Sequence, residues 1–111
     1  MKVRFLGTGT SQGVPVIACS CKVCLSANKK DKRLRTSALL SIGRKHIIID
    51  AGPDFRQQML LAQIEDIEAV LITHEHNDHI IGLDDVRPFN FKHEKNIPIY
   101  SNKRVQEELK L

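Results

Sequence analysis

The sequence predicts an α/β fold in which short β-strands alternate with helices inside one domain. Three observations indicate this class. The 111 residues suffice for a single domain, apolar runs of strand length recur along the chain, and helical periodicity follows the third of these runs. Apolar residues make up 41% and charged residues 27%, which is typical of a globular protein and argues against a disordered one.

The first three strand predictions lie in the first half of the chain. Residues 3–6 form a short strand candidate that ends at a Gly-Thr-Gly-Thr segment, and residues 36–42 and 46–50 form two further candidates. The short connection at Gly43-Arg44 between the latter two is typical of a β-hairpin. Residues 11–35 are rich in polar and basic side chains and contain Gly and Pro, so we expect them to form loops.

Helical spacing replaces the strand pattern after residue 52. Pro53 suits the first turn of a helix, and Phe55, Met59 and Leu60 recur at helical spacing before an expected end near residues 62–63. The apolar run that follows this helix predicts a strand buried on both faces. The predicted elements of this second part are a strand at 69–73, a strand-end loop at 74–79, one or two helical turns at 80–86 and a short strand at 97–101.

A last helix is expected to begin at Asn102, which is a favourable N-cap residue. Val105 and Leu109 lie on one face of that helix. No stop signal follows them, so the helix is expected to continue past Leu111, with an apolar face that needs a partner outside this sequence.

The charge pattern argues against a nucleic-acid partner, and the hydropathy pattern argues against a membrane partner. The formal net charge is only +4, and one basic stretch at 29–35 is more typical of a solvated loop than of a binding face. The longest apolar run is too short to span a bilayer, and the N-terminus lacks the core of a signal peptide. A cytoplasmic protein is therefore expected.

A cluster of histidines and carboxylates directly after the fourth strand carries the strongest chemical signal. His74 and His76 are two residues apart, so in an extended chain both imidazoles point to the same side. Asp78 and His79 follow, where a tight turn could direct them at a neighbouring point. This layout favours two metal ions with one ligand pair each, and Zn²⁺, Mn²⁺ or Fe suit such donors. The alternative is a solvated loop, against which four candidate ligands in six residues argue.

Two metal ions roughly 3.5–4 Å apart can hold a bridging hydroxide that attacks a phosphoryl or acyl group. Neighbouring residues have two interpretations. Asp50 could accept an imidazole N–H and fix the tautomer of a ligand, or it could cap the helix near Pro53. Asp54 and Arg56 could form a local ion pair, or Arg56 could reach a phosphate, and the spacing favours a structural role. Glu75, between two predicted ligands, is expected to be exposed.

The three cysteines form a second candidate metal site in the polar loop. Cys19, Cys21 and Cys24 give the spacing CxCxxC, and structural zinc usually takes four thiolate or imidazole ligands. His46, His93 or a residue beyond the end of this sequence could supply the fourth. A metal would also explain how a segment poor in apolar residues becomes ordered. The alternative of reduced, unliganded cysteines is weaker, and a thiol nucleophile is weaker still because no Cys-His pairing is visible.

These motifs together resemble those of the metallo-β-lactamase-fold hydrolases. The HxHxDH motif at 74–79 after an apolar strand and the upstream Asp50-x-Gly52 carry the resemblance. Within that superfamily the chain is most similar to the branch of the phosphoribosyl cyclic phosphate phosphodiesterase of phosphonate breakdown. The matching segments are Gly-Thr-Gly-Thr-Ser at 7–11, Gly-Val-Pro at 13–15, the three cysteines, and Asp-Ala-Gly-Pro-Asp-Phe-Arg at 50–56.

The resemblance implies an αββα sandwich with a mixed sheet and flanking helices. Residues 1–111 would be the N-terminal part of that single domain, with a Cys-rich zinc-binding insertion at about 15–36. It implies that His74 and His76 bind a first divalent ion and that Asp78 and His79 bind a second, with Asp78 also serving catalysis. In that branch a later histidine completes the structural zinc site of the cysteines.

The resemblance also implies that some metal ligands of the family are missing from this sequence. Family members are about twice as long and use a further His, a bridging Asp and a final His downstream, and no histidine follows His93 in this sequence. The chain alone is therefore expected to hold incomplete metal sites and to be inactive. A missing C-terminal half or a second copy of the chain would supply the remainder.

Three functions are consistent with these signals. The preferred one is a metal-dependent phosphodiesterase that acts on a small phosphodiester, or the N-terminal part of such an enzyme. The second is an RNA-processing nuclease of the same superfamily, against which the mild charge argues. The third is a non-catalytic zinc-binding module, against which Asp78 argues because a structural zinc site needs no carboxylate after two histidines.

Overall fold

A mixed β-sheet forms the centre of the computed structural model, which describes residues 1–110. Within those residues the sheet has five strands that lie side by side in chain order. The first two pairings are antiparallel and the last two are parallel. The expected α/β class with a mixed sheet is therefore confirmed. The strands are β1 (Lys2–Gly7), β2 (Ser37–Ile42), β3 (Lys45–Ile49), β4 (Ala69–Leu71) and β5 (Ile99–Tyr100).

Helices follow the parallel strands, as the periodicity predicted for two of them. They are α1 (Phe55–Ala62), α2 (Asn77–Ile80), α3 (Arg87–His93) and α4 (Lys103–Leu109), with 3₁₀ turns at Lys29–Asp31 and Ile81–Val86. None of these helices in residues 1–110 is both long and apolar enough to cross a membrane. The expected continuation of α4 past Leu111 lies outside the described residues.

Local signals explain where these elements begin and end. Gly43 has a φ of 62° in the two-residue turn that joins β2 to β3, and Ile42 pairs with Lys45 across it, so the predicted hairpin is confirmed. The Asn102 side chain accepts a hydrogen bond of 3.0 Å from the Val105 N–H, which confirms the predicted cap of α4. Helix α3 was not predicted, although Pro88 in its first turn is a start signal.

One face of the sheet packs against the helices and forms the core. Leu39, Ile48 and Val70 lie side by side on β2, β3 and β4, and all are buried. Phe55 of α1 and Phe89 of α3 pack against them, with their ring centroids 6.5 Å apart in an edge-to-face arrangement. Burial of this cluster holds α1 and α3 on the sheet.

Leu60 does not belong to this core, although its spacing suggested the same side of the helix as Met59. Its side chain is 61% exposed, whereas Met59 is buried. The buried face of α1 is defined instead by Phe55, Gln58 and Met59. The apolar stripe of this eight-residue helix is therefore narrower than its composition suggests.

The opposite face of the sheet is also apolar, and apart from Ala69 its apolar side chains are half-buried or exposed. Strand register and alternation place its members side by side. Phe5 is 74% exposed and Tyr100 is 58% exposed at the two outer strands. Leu71 is half-buried, so the prediction of a β4 buried on both faces is met only at Ala69 and Val70. We call this surface the open sheet face: Val3, Phe5, Leu40, Ile47, Ile49, Leu71 and Tyr100.

Candidate metal centre

The histidine–aspartate cluster lies at the adjacent carboxyl ends of β3 and β4. Asp50 follows β3 directly, and its N–H donates a 2.8 Å hydrogen bond to the Leu71 carbonyl oxygen at the end of β4. Its φ of 65° is in the left-handed region, which Asp tolerates better than most residues. This conformation turns the chain at the strand end, and the Asp50 residue is only 3% exposed.

The Asp50 carboxylate accepts hydrogen bonds from both sides of the cluster. Oδ1 accepts the Thr73 N–H at 2.8 Å, and Oδ2 accepts the Thr73 hydroxyl at 2.7 Å. Oδ2 also lies 2.7 Å from Nδ1 of His79. The alternative interpretation of Asp50 as a helix cap is wrong, because Asp54 is the residue that precedes α1. The hydrogen bond to an imidazole expected of Asp50 is present, and a ligand role of His79 stays a prediction.

Backbone contacts fix the turn that carries Asp78 and His79. The Ala51 N–H donates to the His79 carbonyl oxygen at 2.8 Å, and the Gly82 N–H donates to the Ala51 carbonyl oxygen at 2.9 Å. A Cβ atom at Gly52 would overlap the carbonyl oxygen of Asp78. The Asp-x-Gly segment therefore needs glycine because two backbones meet there.

The fold brings the four predicted ligands together. Asp78 Oδ2 lies 3.0 Å from His79 Nε2. The ring centroid of His74 lies 4.7 Å from that of His76 and 4.0 Å from that of His79. Asp78 and His79 belong to α2, so the loop predicted for 74–79 ends at His76. Extended chain supplies the first pair and a helical turn supplies the second, as their spacing suggested.

The donor set suits a divalent metal ion. Ligand atoms of Asp50, His74 and His79 lie within 4.8 Å of one another. The oxygens of Asp50 already take part in hydrogen bonds with Thr73 and His79, which is the arrangement expected of a residue that orients metal ligands. Nδ1 of His74 lies 2.8 Å from the Thr73 hydroxyl, and Nδ1 of His79 lies beside Asp50. Nε2 of His74 remains for a metal, and Nε2 of His79 lies beside Asp78 Oδ2, its partner in the second predicted ligand pair. Imidazole and carboxylate donors of this kind suit Zn²⁺ and similar ions.

Long-range ion pairs correct two expectations for neighbouring residues. The Glu75 side chain is only 20% exposed and pairs with Arg104 of α4 at 2.8 Å, so the expectation that it faces solvent is wrong. Asp54 accepts hydrogen bonds from the Arg35 side chain at 3.1 Å and from the Arg35 N–H at 2.8 Å. The local Asp54–Arg56 pair is therefore also wrong.

The three cysteine thiols form a second cluster in the irregular segment before β2. Their sulfur atoms lie within 4.8 Å of one another. The Cys24 N–H donates to Cys21 Sγ at 3.4 Å. This hydrogen bond, followed by those from the Cys19 and Cys24 thiols, lowers the pKa of Cys21 to about 7. A thiol with this pKa loses its proton readily, which favours metal binding.

Neither His46 nor His93 completes the cysteine cluster. Nδ1 of His46 lies 2.9 Å from the Ser41 hydroxyl on the neighbouring strand. Nε2 of His93 lies 2.8 Å from the Glu65 carbonyl oxygen. In the part of the chain that the structure describes, the metal-ligating side chains of this cluster are the three cysteines. Both histidines are therefore wrong predictions for the fourth ligand, and a residue outside this sequence stays a prediction.

Thr73 and Arg104 are site residues that the sequence did not predict. Thr73 joins Asp50 to His74 through its hydroxyl, and its position directly before the first histidine was the available signal. Arg104 reaches the cluster from α4, twenty-nine positions after Glu75, and nothing local in the sequence indicates that contact.

Comparison with known proteins places these features in a family. The family model described as beta-lactamase superfamily domain matches residues 45–111. The crystal structure of a new diphosphatase from the PhnP family is 45% identical, with a TM-score of 0.94 over 97% of this chain and 44% of that chain. Zn²⁺-bound PqqB from Methylobacterium extorquens is 27% identical, with a TM-score of 0.83 over 99% of this chain and 40% of that chain.

A curated relative shows the same partial coverage. A protein named octanoyltransferase from Porphyromonas gingivalis is 46% identical over 111 residues, which are 99% of this chain and 22% of that protein. The chain thus spans less than half the length of each of these relatives. Because the family model covers more than half of its residues and the fold agrees, the chain belongs to the beta-lactamase superfamily domain family and has the metallo-β-lactamase fold.

Proposed function

We propose that this chain carries part of the active site of a metal-dependent phosphodiesterase that uses two divalent ions. The observation that carries the proposal is the convergence of His74, His76, Asp78 and His79 at the ends of two parallel strands, with Asp50 behind them. Similarity to a protein described as a diphosphatase supports chemistry at a phosphoryl group.

His74 and His76 would hold one ion, and Asp78 and His79 would hold the other. When bound, two such ions supply a hydroxide nucleophile near neutral pH and withdraw charge from a phosphoryl oxygen. Zn²⁺ is the expected ion, with Mn²⁺ or Fe as alternatives. The cysteine cluster would hold one structural zinc ion through Cys19, Cys21 and Cys24, completed by a ligand outside this sequence.

The residues of this chain contribute orientation. Asp50 accepts from Thr73 and holds Nδ1 of His79, so His79 presents Nε2 toward Asp78. Arg104 neutralises Glu75 between the two histidines, which limits the negative charge beside the position of an anionic substrate. The Gly52 contact keeps Asp78 and His79 at a fixed distance from Asp50.

We also propose that residues 1–111 are the N-terminal part of one longer domain, with the zinc-binding insertion at about 15–36. The open sheet face supports this, because contiguous exposed apolar side chains usually mark a surface that packs against something. A second sheet stacked on it would complete the αββα sandwich. That second part would supply the remaining metal ligands, and the whole protein would be cytoplasmic with a small phosphodiester as substrate.

The test is turnover of bis(p-nitrophenyl) phosphate by the full native chain loaded with Zn²⁺ or Mn²⁺. We expect His76→Ala to abolish turnover and His93→Gln to leave it unchanged, because the ring of His93 pairs with the Glu65 carbonyl oxygen and with Asp66. Turnover that survives His76→Ala would contradict the assignment of the site. Cleavage of RNA without cleavage of the small diester would favour the nuclease, and metal binding with neither reaction would favour a zinc-binding module.

A further inference from the structure

The Thr73 hydroxyl lies between Asp50 and His74 and contacts both at hydrogen-bond distance. Its Oγ1 is 2.7 Å from Asp50 Oδ2 and 2.8 Å from His74 Nδ1. Asp50 is buried and its contact with Thr73 is partly buried, whereas the contact between Thr73 and His74 lies at the surface. The same Oδ2 atom lies 2.7 Å from His79 Nδ1. One carboxylate oxygen therefore connects to two imidazoles, to His79 directly and to His74 through a hydroxyl.

The Thr73 hydroxyl has one hydrogen, and this fixes the direction of its two hydrogen bonds. A carboxylate only accepts, so the single hydroxyl hydrogen of Thr73 is directed to Asp50. The hydroxyl oxygen can then only accept from His74, which requires the hydrogen of a neutral imidazole to be on Nδ1. Nδ1 of His79 also faces Asp50, but Nε2 of the same ring lies 3.0 Å from Asp78 Oδ2, so both of its nitrogens face a carboxylate and only the tautomer of His74 is fixed. In His74 the lone pair is left on Nε2.

We propose that Thr73 is a positioning residue through which Asp50 sets the tautomer of His74 and so prepares this imidazole for metal binding. The inference rests on the proposed function only in taking His74 as a metal ligand. Thr73 does not touch the ions or the substrate, and acts only by holding the hydrogen of His74 on the nitrogen that faces away from the metal.

A purely structural role of Thr73 makes a different prediction. The Thr73 N–H donates separately to Asp50 Oδ1 at 2.8 Å, so the backbone is held at the strand end without the hydroxyl. Thr73→Val keeps that N–H and the branched shape but removes the hydroxyl. Thr73→Ser keeps the hydroxyl but removes a methyl group. If Thr73 acts through the packing of its methyl group, Thr73→Ser should impair zinc binding more than Thr73→Val does. If it acts through its hydroxyl, Thr73→Val should impair zinc binding more.

The experiment measures imidazole ¹⁵N chemical shifts in the metal-free full chain at about pH 8, above the ordinary pKa of histidine near 6.5. A His74→Asn variant identifies the His74 signals. We expect the hydrogen of His74 on Nδ1 in the wild type and in Thr73→Ser, and its redistribution toward Nε2 in Thr73→Val. The His79 signals should be the same in all three proteins, which reports that the fold around Asp50 is intact.

Zinc affinity by competition with a chromophoric chelator provides the second readout. We expect Thr73→Val to bind Zn²⁺ about 10- to 100-fold more weakly and Thr73→Ser to bind as the wild type does. A wild-type His74 with its hydrogen on Nε2 would overturn the inference, as would equal zinc affinities of the Val and wild-type proteins. A wild type with the expected tautomer of His74 but no phosphodiester turnover would overturn the proposed function alone.

Discussion

The two candidate metal centres of this chain are built in opposite ways. The His–Asp cluster lies at the ends of paired strands, and Asp50 and main-chain hydrogen bonds hold it in place. The cysteine cluster lies in an irregular segment in which Cys21 is exposed and Cys19 and Cys24 are half-buried. One centre is thus held by the fold and the other is held chiefly by contacts among its own sulfur atoms and nearby N–H groups.

This difference indicates what each metal does for the protein. The His–Asp cluster keeps its shape through hydrogen bonds that need no ion, so a metal there adds chemistry more than structure. Around the cysteines, Ile17 is 93% exposed and Leu25 is 69% exposed, so apolar burial contributes little to the order of that segment. A structural zinc ion would supply the missing stability.

The largest loss of stability at the His–Asp cluster is expected when Asp50 is replaced, which tests whether the fold holds this centre. Asp50→Ala removes the acceptor for the N–H and hydroxyl of Thr73 and the partner of His79 Nδ1. These groups then lose their hydrogen bonds in a partly buried site. We expect the free energy of unfolding to fall by roughly 3 kcal/mol, measured by urea denaturation of the metal-free protein.

Asp84→Ala is the control, because the Asp84 side chain is 76% exposed in its pair with Arg87. Its loss should be less than about 1 kcal/mol. If both variants lost the same small amount, the His–Asp cluster would not be held by Asp50 and the two centres would be alike.

The next largest effect is expected at Gly52. Gly52→Ala places a Cβ against the carbonyl oxygen of Asp78, which can move only if the two backbones separate. We expect a loss of roughly 1–3 kcal/mol of unfolding free energy, together with weaker zinc binding at the His–Asp cluster. Gly43→Asn is the control, since open space surrounds Gly43 and Asn tolerates its left-handed conformation. Wild-type zinc affinity in Gly52→Ala would contradict a role of this contact in holding the metal site.

Removal of zinc should affect the structure around the cysteines but not that of the His–Asp cluster. Chelation is expected to accelerate tryptic cleavage at Lys29 and Lys30, which lie a few residues after the cysteines in the exposed segment. The tautomer of His74 should stay unchanged in the same sample, because Thr73 and Asp50 hold it without metal. Cleavage rates that do not respond to chelation would contradict a structural metal at the cysteines.

The acidity of Cys21 provides a smaller, pH-dependent test. Hydrogen bonds from the Cys24 N–H and from the neighbouring thiols lower its pKa from 9.0 to about 7. The reactive thiolate is therefore populated above about pH 7, and alkylation of the metal-free protein by iodoacetamide should reach half its maximal rate there. Mass spectrometry of the Cys21 peptide measures this rate, and saturating zinc should suppress it. A rate that rises only near pH 9.0 would contradict the hydrogen-bonded arrangement.

The smallest effect is expected at the Asp66–Lys95 pair, which lies outside both centres. Partial burial raises the pKa of Asp66, but the hydrogen bond and charge of Lys95 outweigh it, and the net pKa is lowered. The stabilisation is thus present above the unfolded pKa of about 3.9 and is lost as the pH falls through the lower folded value. The pKa of Lys95 is raised by the same hydrogen bond, so its contribution is lost only as the pH rises above about 10.4.

Lys95→Ala should therefore lower the free energy of unfolding at pH 7 only slightly, because both side chains are partly exposed. The difference from the wild type should shrink as the pH falls below the unfolded pKa of aspartate and the folded Asp66 also takes up a proton. Zinc binding at either centre should not change. If Lys95→Ala lost more unfolding free energy than Gly52→Ala, the expectation that this pair contributes less than the Gly52 contact would be wrong.

Local features of this chain were predictable from its sequence, and contacts between distant residues were not. Apolar runs marked the strands, and the spacing of His74, His76, Asp78 and His79 marked the cluster, because both signals depend on neighbouring positions. The pairs Arg35–Asp54 and Glu75–Arg104 join elements far apart in the chain, so only the packed fold shows them. Thr73 was missed because its role depends on Asp50, which the parallel pairing of β3 and β4 brings beside it.

The contact between the Gly52 segment and α2 has a consequence for laboratory recombination of related genes. The segment and the helical turn meet through main-chain atoms, at Ala51 with His79 and at Gly82 with Ala51. Main-chain contacts do not depend on which side chains the parents carry. Chimaeras with a crossover between residues 53 and 76 should therefore preserve this junction whenever both parents keep the glycine, even where α1 and β4 come from different sources.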